Sequence, residues 1–81
     1  MRIEMDERLY VGTALQIAQE WRERSFAPTR TVREYLEWAC AQIGQAGVVV
    51  ARDAEGLSDE KLAEALVRTY VEQGMAREVK G

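Results

Sequence analysis

The chain has 81 residues, of which 47% are hydrophobic, and its 11 basic and 14 acidic side chains give a net charge of −3. This length allows one domain with a thin core, and the hydrophobic fraction is too high for a disordered chain. The charges are spread along the sequence without a basic block, which disfavours non-specific binding to nucleic acid. The absence of histidine excludes every catalytic triad and metal site that needs an imidazole.

The single cysteine and the lengths of the apolar runs indicate the cellular compartment of the chain and whether it self-associates. Cys40 is the one cysteine, so no intrachain disulfide is available to stabilise a small core. No stretch approaches the ~20 apolar residues of a membrane span, and the N-terminal residues lack the apolar run of a secretory signal. We therefore expect a cytosolic protein with one domain over residues 1–81, no membrane contact, and self-association as a homodimer as one source of stability.

The first predicted elements are a short strand and a long helix. Arg2–Met5 alternates polar and apolar residues, which is typical of a half-buried strand. Asp6 is a good N-cap residue and Glu7 would lie in the first turn, so we predict a helix from Asp6 to about Arg24. Its apolar residues surround much of the circumference, so the helix must be covered on two sides, by the other helices or by a second subunit. Gly12 inside this helix would mark a position where another helix crosses it closely.

The second predicted helix shows the clearest amphipathic pattern. It begins after Pro28, with Thr29 or Thr31 as its cap, and ends at Gly44 or Gly47. Its apolar positions follow the helical spacing i, i+3, i+4, i+7, i+8, i+11. They are Val32, Tyr35, Leu36, Ala39, Cys40 and Ile43.

The remaining predicted elements are a strand, a helix and a closing strand. Val48–Val50 is β-branched and short, which indicates a buried strand. Ser58 caps a third helix that ends near Gly74, where a Schellman turn is expected. Met75–Val79 alternates again and predicts a short final strand. The predicted fold is therefore α+β, mainly α, with three amphipathic helices in the order strand-helix-helix-strand-helix-strand.

The sequence offers no recognisable catalytic or cofactor motif. Cys40 falls on the apolar side of its helix, and the sequence shows no base that would activate it as a nucleophile. Gly44 and Gly47 are not followed by the Lys-Ser/Thr pair of a phosphate-binding loop. The acidic segment from Asp53 has Ser58 where a calcium loop needs glycine. We expect a protein that is not an enzyme and that holds no metal or cofactor.

Two aromatic residues have alternative interpretations. Trp38 lies off the apolar stripe of its helix, where it either covers the rim of the core or anchors a binding partner. Phe26, in the loop beside Pro28, has the same two interpretations. The leading hypothesis is a small acidic interaction protein, namely an inhibitor, adaptor or antitoxin-like regulator of the type common in phages and mobile elements. The candidate partner-binding residues are Trp38, Phe26, Arg30, Arg33, Glu34 and Glu37.

The first half of the chain resembles the ribbon-helix-helix family of small dimeric DNA-binding proteins, which includes many antitoxins. Residues 3–10 resemble the strand and capped helix start of that family, and residues 31–36 with Ala39 resemble its second helix. The resemblance covers residues 1–43. The segment between the two helices is longer than the family pattern, and the strand is less basic.

The resemblance implies an alternative function as a dimeric DNA-binding transcriptional repressor. In that family the strands of two subunits pair with each other and enter the major groove. By position, Arg2 and Glu4 would face the bases, while Ile3 and Met5 would enter the dimer core.

Overall fold

The computed structural model describes residues 1–25 and 31–80, which contain a three-stranded antiparallel sheet and three α-helices. This arrangement confirms the predicted class, α+β and mainly α. In chain order the elements are β1 (Arg2–Met5), β2 (Arg8–Val11), α1 (Ala14–Glu23), α2 (Val32–Gly44), a short 3-10 turn (Ala54–Gly56), α3 (Asp59–Glu72) and β3 (Arg77–Glu78).

The first strand lies in the middle of the sheet, between β2 and β3. Ile3 stands opposite Tyr10 on β2, and Glu4 stands opposite Arg77 on β3. Because side chains alternate along a strand, Ile3 and Tyr10 point into the core while Glu4 lies on the solvent side. The strand predicted at residues 2–5 is confirmed, and the closing strand forms over residues 77–78 of the predicted 75–79.

The predicted helix start at Asp6 is wrong, because residues 6 and 7 form a two-residue hairpin turn. Asp6 and Glu7 both have positive φ, 52° and 65°, as a type I′ turn requires. This turn matches the right-handed twist of the flanking strands and returns the chain along β1 as β2. Residues 8–11 are therefore a strand, although the spacing of their apolar residues also fits a helix.

The first helix begins at Ala14, after a backbone break and a cap. Gly12 has φ of 140°, which a helix does not permit, so it lies outside α1 and does not mark a helix crossing. Thr13 accepts a hydrogen bond from the Gln16 backbone N–H, and the Gln16 side chain accepts one from the Thr13 backbone N–H. This reciprocal capping box fixes the start of the helix.

The strand predicted at Val48–Val50 does not form. The second helix packs against α1 and α3, and the sheet lies against α1 and α3 through β2 and β3. Among the described residues, no strand lies beside residues 48–50 at the end of α2. The Val48 N–H instead donates back to the Ile43 carbonyl. β-branched composition alone does not make a strand, because a strand needs a hydrogen-bonding neighbour.

An aromatic cluster joins the sheet to the helices. The Trp21 ring on α1 makes an edge contact with Tyr10 at 5.9 Å and stacks on Tyr70 at 5.3 Å, measured between ring centroids. Trp21 is 4% exposed, and Ile17 and Leu66 are fully buried. The hairpin, α1 and α3 therefore share one core, and α1 is covered by the sheet on one side and by helices on another.

The remaining helix caps agree with the sequence patterns. Thr31 and Ser58 cap α2 and α3 through their hydroxyl groups. After α3, the Met75 N–H donates to the Tyr70 carbonyl and the Gly74 N–H donates to the Val71 carbonyl, which is the predicted Schellman pattern. Gly74 has φ of 76°, so the glycine is needed for the turn that leads into β3.

We predict that Glu7→Gly stabilises the protein. A left-handed backbone costs a non-glycine residue about 1–2 kcal/mol, and the extra flexibility of glycine in the unfolded chain offsets part of that, so the expected gain is about 0.5–1 kcal/mol. Urea unfolding measures the change. The control is Gln19→Gly on the exposed side of α1, which should cost about 1 kcal/mol. A loss of stability in Glu7→Gly would contradict the assigned turn.

Candidate interaction surface

The structure brings four of the six predicted partner-binding residues onto one helix. Trp38, Glu34 and Glu37 are exposed on α2, and Arg33 is partly buried on the same helix. Phe26 and Arg30, the other two, lie outside the described residues. The four residues on α2 do not share one role, because some of them have contacts within the chain.

Arg33 ties α2 to the segment before α3. One guanidinium nitrogen donates to the Leu57 carbonyl at 2.6 Å, and the other donates to the Ala54 carbonyl at 2.9 Å. The same group forms ion pairs with Asp59 at 3.3 Å and Glu37 at 3.2 Å. Arg33 therefore closes the loop between the second and third helices, and Glu37 holds its side chain in place.

Glu34 belongs to the start of α2. Its backbone N–H donates to the Thr31 hydroxyl at 3.1 Å, and its carboxylate accepts from the Thr31 backbone N–H at 3.2 Å. The pair is a capping box, which satisfies two helix-terminal donors at once. Glu34 therefore has a structural role at the start of α2, through its backbone N–H and its carboxylate.

Trp38 differs from these charged residues because much of its ring is in contact with solvent. The residue is 40% exposed, and the centroid of its ring lies 5.9 Å from the ring centroid of the buried Tyr35. Burial raises the pKa of the Tyr35 phenol well above its ordinary value, so this neighbour stays uncharged. Trp38 thus combines a solvent-exposed apolar surface with a contact to the uncharged ring of Tyr35.

An uncharged stretch begins at Trp38. Residues 38–51 contain no Asp, Glu, Lys or Arg, although charged residues make up 31% of the chain. Three residues of α2, Trp38, Ala41 and Gln42, share one face with the C-cap residue Gln45, because their spacing is i, i+3, i+4, i+7. We call the exposed residues of this stretch the uncharged surface: Trp38, Ala41, Gln42, Gly44, Gln45, Ala46, Gly47 and Val49.

The loop after α2 extends the uncharged surface. Val49 is 72% exposed, while Val50 beside it packs against the core. The sequence patterns predicted Val49 in a buried strand, which is wrong, and they assigned Gly44 and Gly47 only to the end of the second helix. The gap in charge from residue 38 to residue 51 is visible in the sequence and would have indicated them.

The two residues assigned to DNA by the ribbon-helix-helix resemblance lie on the solvent side of the sheet. Arg2 is exposed, and the Glu4 carboxylate pairs with the Arg77 guanidinium at 2.8 Å. Leu9 and Val11 lie on the same side, across from Glu4 and Arg2. This face combines a paired charge with exposed apolar side chains, and it is distinct from the uncharged surface on α2.

Comparison with known proteins gave no relative for this chain. A scan against protein-family models and searches of curated proteins and solved structures found no match. Within residues 1–25 and 31–80, no group of three or more His, Cys, Asp or Glu side chains is placed to hold a metal ion. In the same residues, no helix is both long enough and apolar enough to cross a membrane.

We predict that Arg33→Lys lowers the stability of the protein. A lysine ammonium cannot reproduce the forked contacts that the guanidinium makes with Leu57, Ala54 and the two carboxylates. The melting temperature should therefore fall, and Arg33→Ala should lower it further. The control is Arg68→Ala on the exposed side of α3, which should change it little. Equal effects at the two positions would show that the Arg33 contacts contribute no stability.

We also predict slow alkylation of Cys40 by iodoacetamide. Burial raises the pKa of the Cys40 thiol, an effect that the nearby Arg33 partly opposes. A raised pKa leaves less thiolate at a given pH, and thiolate is the reactive form. The rate at pH 8 should therefore be lower than that of a free cysteine peptide and should increase as the pH rises. A rate equal to that of the peptide would contradict this protection.

Proposed function

We propose that this chain is a small, acidic, non-enzymatic and cytosolic interaction protein, acting as an inhibitor, adaptor or antitoxin-like regulator. It binds another protein through the uncharged surface of α2 and the loop that follows. The observation that carries this proposal is Trp38, 40% exposed at the start of fourteen residues without charge. Tryptophan is enriched among the residues that contribute most to binding, and charged residues are depleted at the centres of interfaces.

The chemistry of the uncharged surface favours a protein partner over a nucleic acid. Affinity for DNA or RNA depends on lysine and arginine contacts with phosphates, and residues 38–51 supply none. The side chains exposed here are aromatic, aliphatic, small or amide-bearing. Such a surface loses little solvation energy when it is covered, because no ion has to be desolvated.

The alternative function, a dimeric ribbon-helix-helix repressor, is not favoured by the geometry of the sheet. That architecture needs a first strand whose edge is open to the same strand of a second subunit. Here β1 is the central strand, with β2 on one side and β3 on the other. Arg77 also pairs with Glu4, which removes one cation from the face that would meet the bases.

Site-specific photo-crosslinking in the native host cell tests the proposal. A photoreactive amino acid in place of Trp38 or Val49 should yield an adduct with the same partner protein. In place of Lys61, an exposed residue of α3, it should not yield that adduct. Adducts that form equally at all three positions, or at none, would contradict the assignment of the uncharged surface.

The Trp38→Ala substitution then measures the contribution of the ring to binding. With the captured partner purified, calorimetry should show an affinity at least about tenfold weaker, which is the size expected for a central aromatic anchor. Because the ring is half exposed, the circular dichroism spectrum should keep its helical form. The control, Lys61→Ala, should leave the affinity within about twofold, as is usual away from the residues that dominate an interface.

A further inference from the structure

Within residues 1–25 and 31–80, the backbone of β2 has one edge without a strand beside it. In the hairpin, the Gly12 N–H donates to the Met1 carbonyl and the Met1 nitrogen donates to the Gly12 carbonyl, so these two residues form a hydrogen-bonded pair. Such pairs alternate along an antiparallel ladder, which makes Tyr10 the next residue bonded to β1. The N–H and C=O groups of Leu9 and Val11 therefore point away from β1, towards the open edge.

The same two residues expose apolar side chains beside that edge. Leu9 is 48% exposed and Val11 is 59% exposed, and both lie on the solvent side of the sheet. Natural proteins usually protect an edge strand with a charged or proline residue, because an open apolar edge pairs with other strands. The charged residue of β2, Arg8, lies on the same face as Tyr10, and the two positions whose backbone groups face the open edge, Leu9 and Val11, carry neither kind of residue.

We propose that β2 pairs with β2 of a second copy of this chain, antiparallel and about a twofold axis at Tyr10. In this register Leu9 of each subunit stands opposite Val11 of the other, and both pairs are of the hydrogen-bonded type. The two three-stranded sheets become one six-stranded sheet with a strip of four apolar side chains across the axis. A twofold contact of this kind is closed, so it gives a dimer and not a fibre.

The residues around the edge fit a second copy because the segment is complementary to itself. The Leu9–Val11 pairing forms twice in the proposed register, whereas registers centred on Leu9 or Val11 leave one of the two without its apolar partner. The register also places Arg8 opposite Gly12, which has no side chain to crowd the arginine. The pairing uses a different surface from the one on α2, so it stands independently of the proposed function.

The oligomeric state tests the pairing. Sedimentation equilibrium over about 1–500 µM should show a shift from a 9.2 kDa monomer to twice that mass as the concentration rises. The range extends to high concentration because the proposed interface is smaller than the ~1,000 Å² typical of stable complexes. Leu9→Lys and Val11→Lys each place a charge at the edge and should weaken the dimer at least about tenfold. Trp38→Ala should leave the dimer unchanged. A chain that stays monomeric throughout, or a dimer that both lysine variants retain, would overturn the proposal.

Disulfide formation tests the register. In a Cys40→Ser background, Leu9→Cys and Val11→Cys are made as separate variants and oxidised alone or as a mixture. Opposed residues in a hydrogen-bonded pair have Cα atoms about 5.5 Å apart, within disulfide reach, while like residues are diagonal and farther apart. The mixture should therefore yield the mixed disulfide in excess over either homodimer, as mass spectrometry resolves. Equal yields of all three products, or an excess of either homodimer over the mixed disulfide, would overturn the register.

Discussion

The backbone at Asp6 and Glu7 is the constraint on which the rest of the architecture depends. Both residues have positive φ, so the chain reverses over two positions and places β2 directly against β1. With β3 on the far side, the first strand becomes the centre of the sheet. The same reversal turns Tyr10 into the core and leaves Leu9 on the solvent side, because side chains alternate along the strand.

The aromatic cluster explains why the hairpin is retained despite the strain in its turn. Tyr10 reaches Trp21 on α1, and Trp21 stacks on Tyr70 of α3, so the three elements are joined through ring contacts. Aromatic pairs of this kind contribute about 0.5–1.5 kcal/mol each beyond their burial. Asp6 and Glu7 are both left-handed, at a cost of about 1–2 kcal/mol each, so the Tyr10–Trp21 contact offsets part of that cost and the burial of Ile3 and Tyr10 in the core offsets more.

The sequence was sufficient for the helices and insufficient for the hairpin, for physical reasons. Helical periodicity and capping chemistry are local, so Thr31, Ser58 and Gly74 marked real helix ends. Residues 6–11 were ambiguous because Asp6 and Glu7 imitate a helix cap and the apolar spacing from Tyr10 onward fits a helix. The one local signal that distinguishes the two is the capping pair of Thr13 and Gln16 after the β-forming residues 8–11, which the predicted helix start did not take into account.

The candidate site was predictable where it depends on local helical spacing and unpredictable where it depends on contacts between distant residues. Trp38 stood out because it left the apolar stripe of its helix, and its exposure agrees with that position. The contacts of Arg33 were not predictable, since its acceptor at Leu57 is 24 residues away in the chain. A charged side chain on a helix surface looks solvated in sequence unless its distant partners are known.

The two proposed contacts, taken together, would fix how two binding surfaces are arranged in one dimer. The sheet and α2 each pack against α1 and α3, so the edge of β2 and the uncharged surface belong to different elements. A twofold axis perpendicular to the joined sheet would keep both helical layers on one side of the dimer and leave both uncharged surfaces open. Two identical binding surfaces in one particle favour a partner that is itself dimeric or repetitive, because the second contact forms at a high effective concentration. The dimer would then bind its partner tightly even if each surface alone is small and has low affinity.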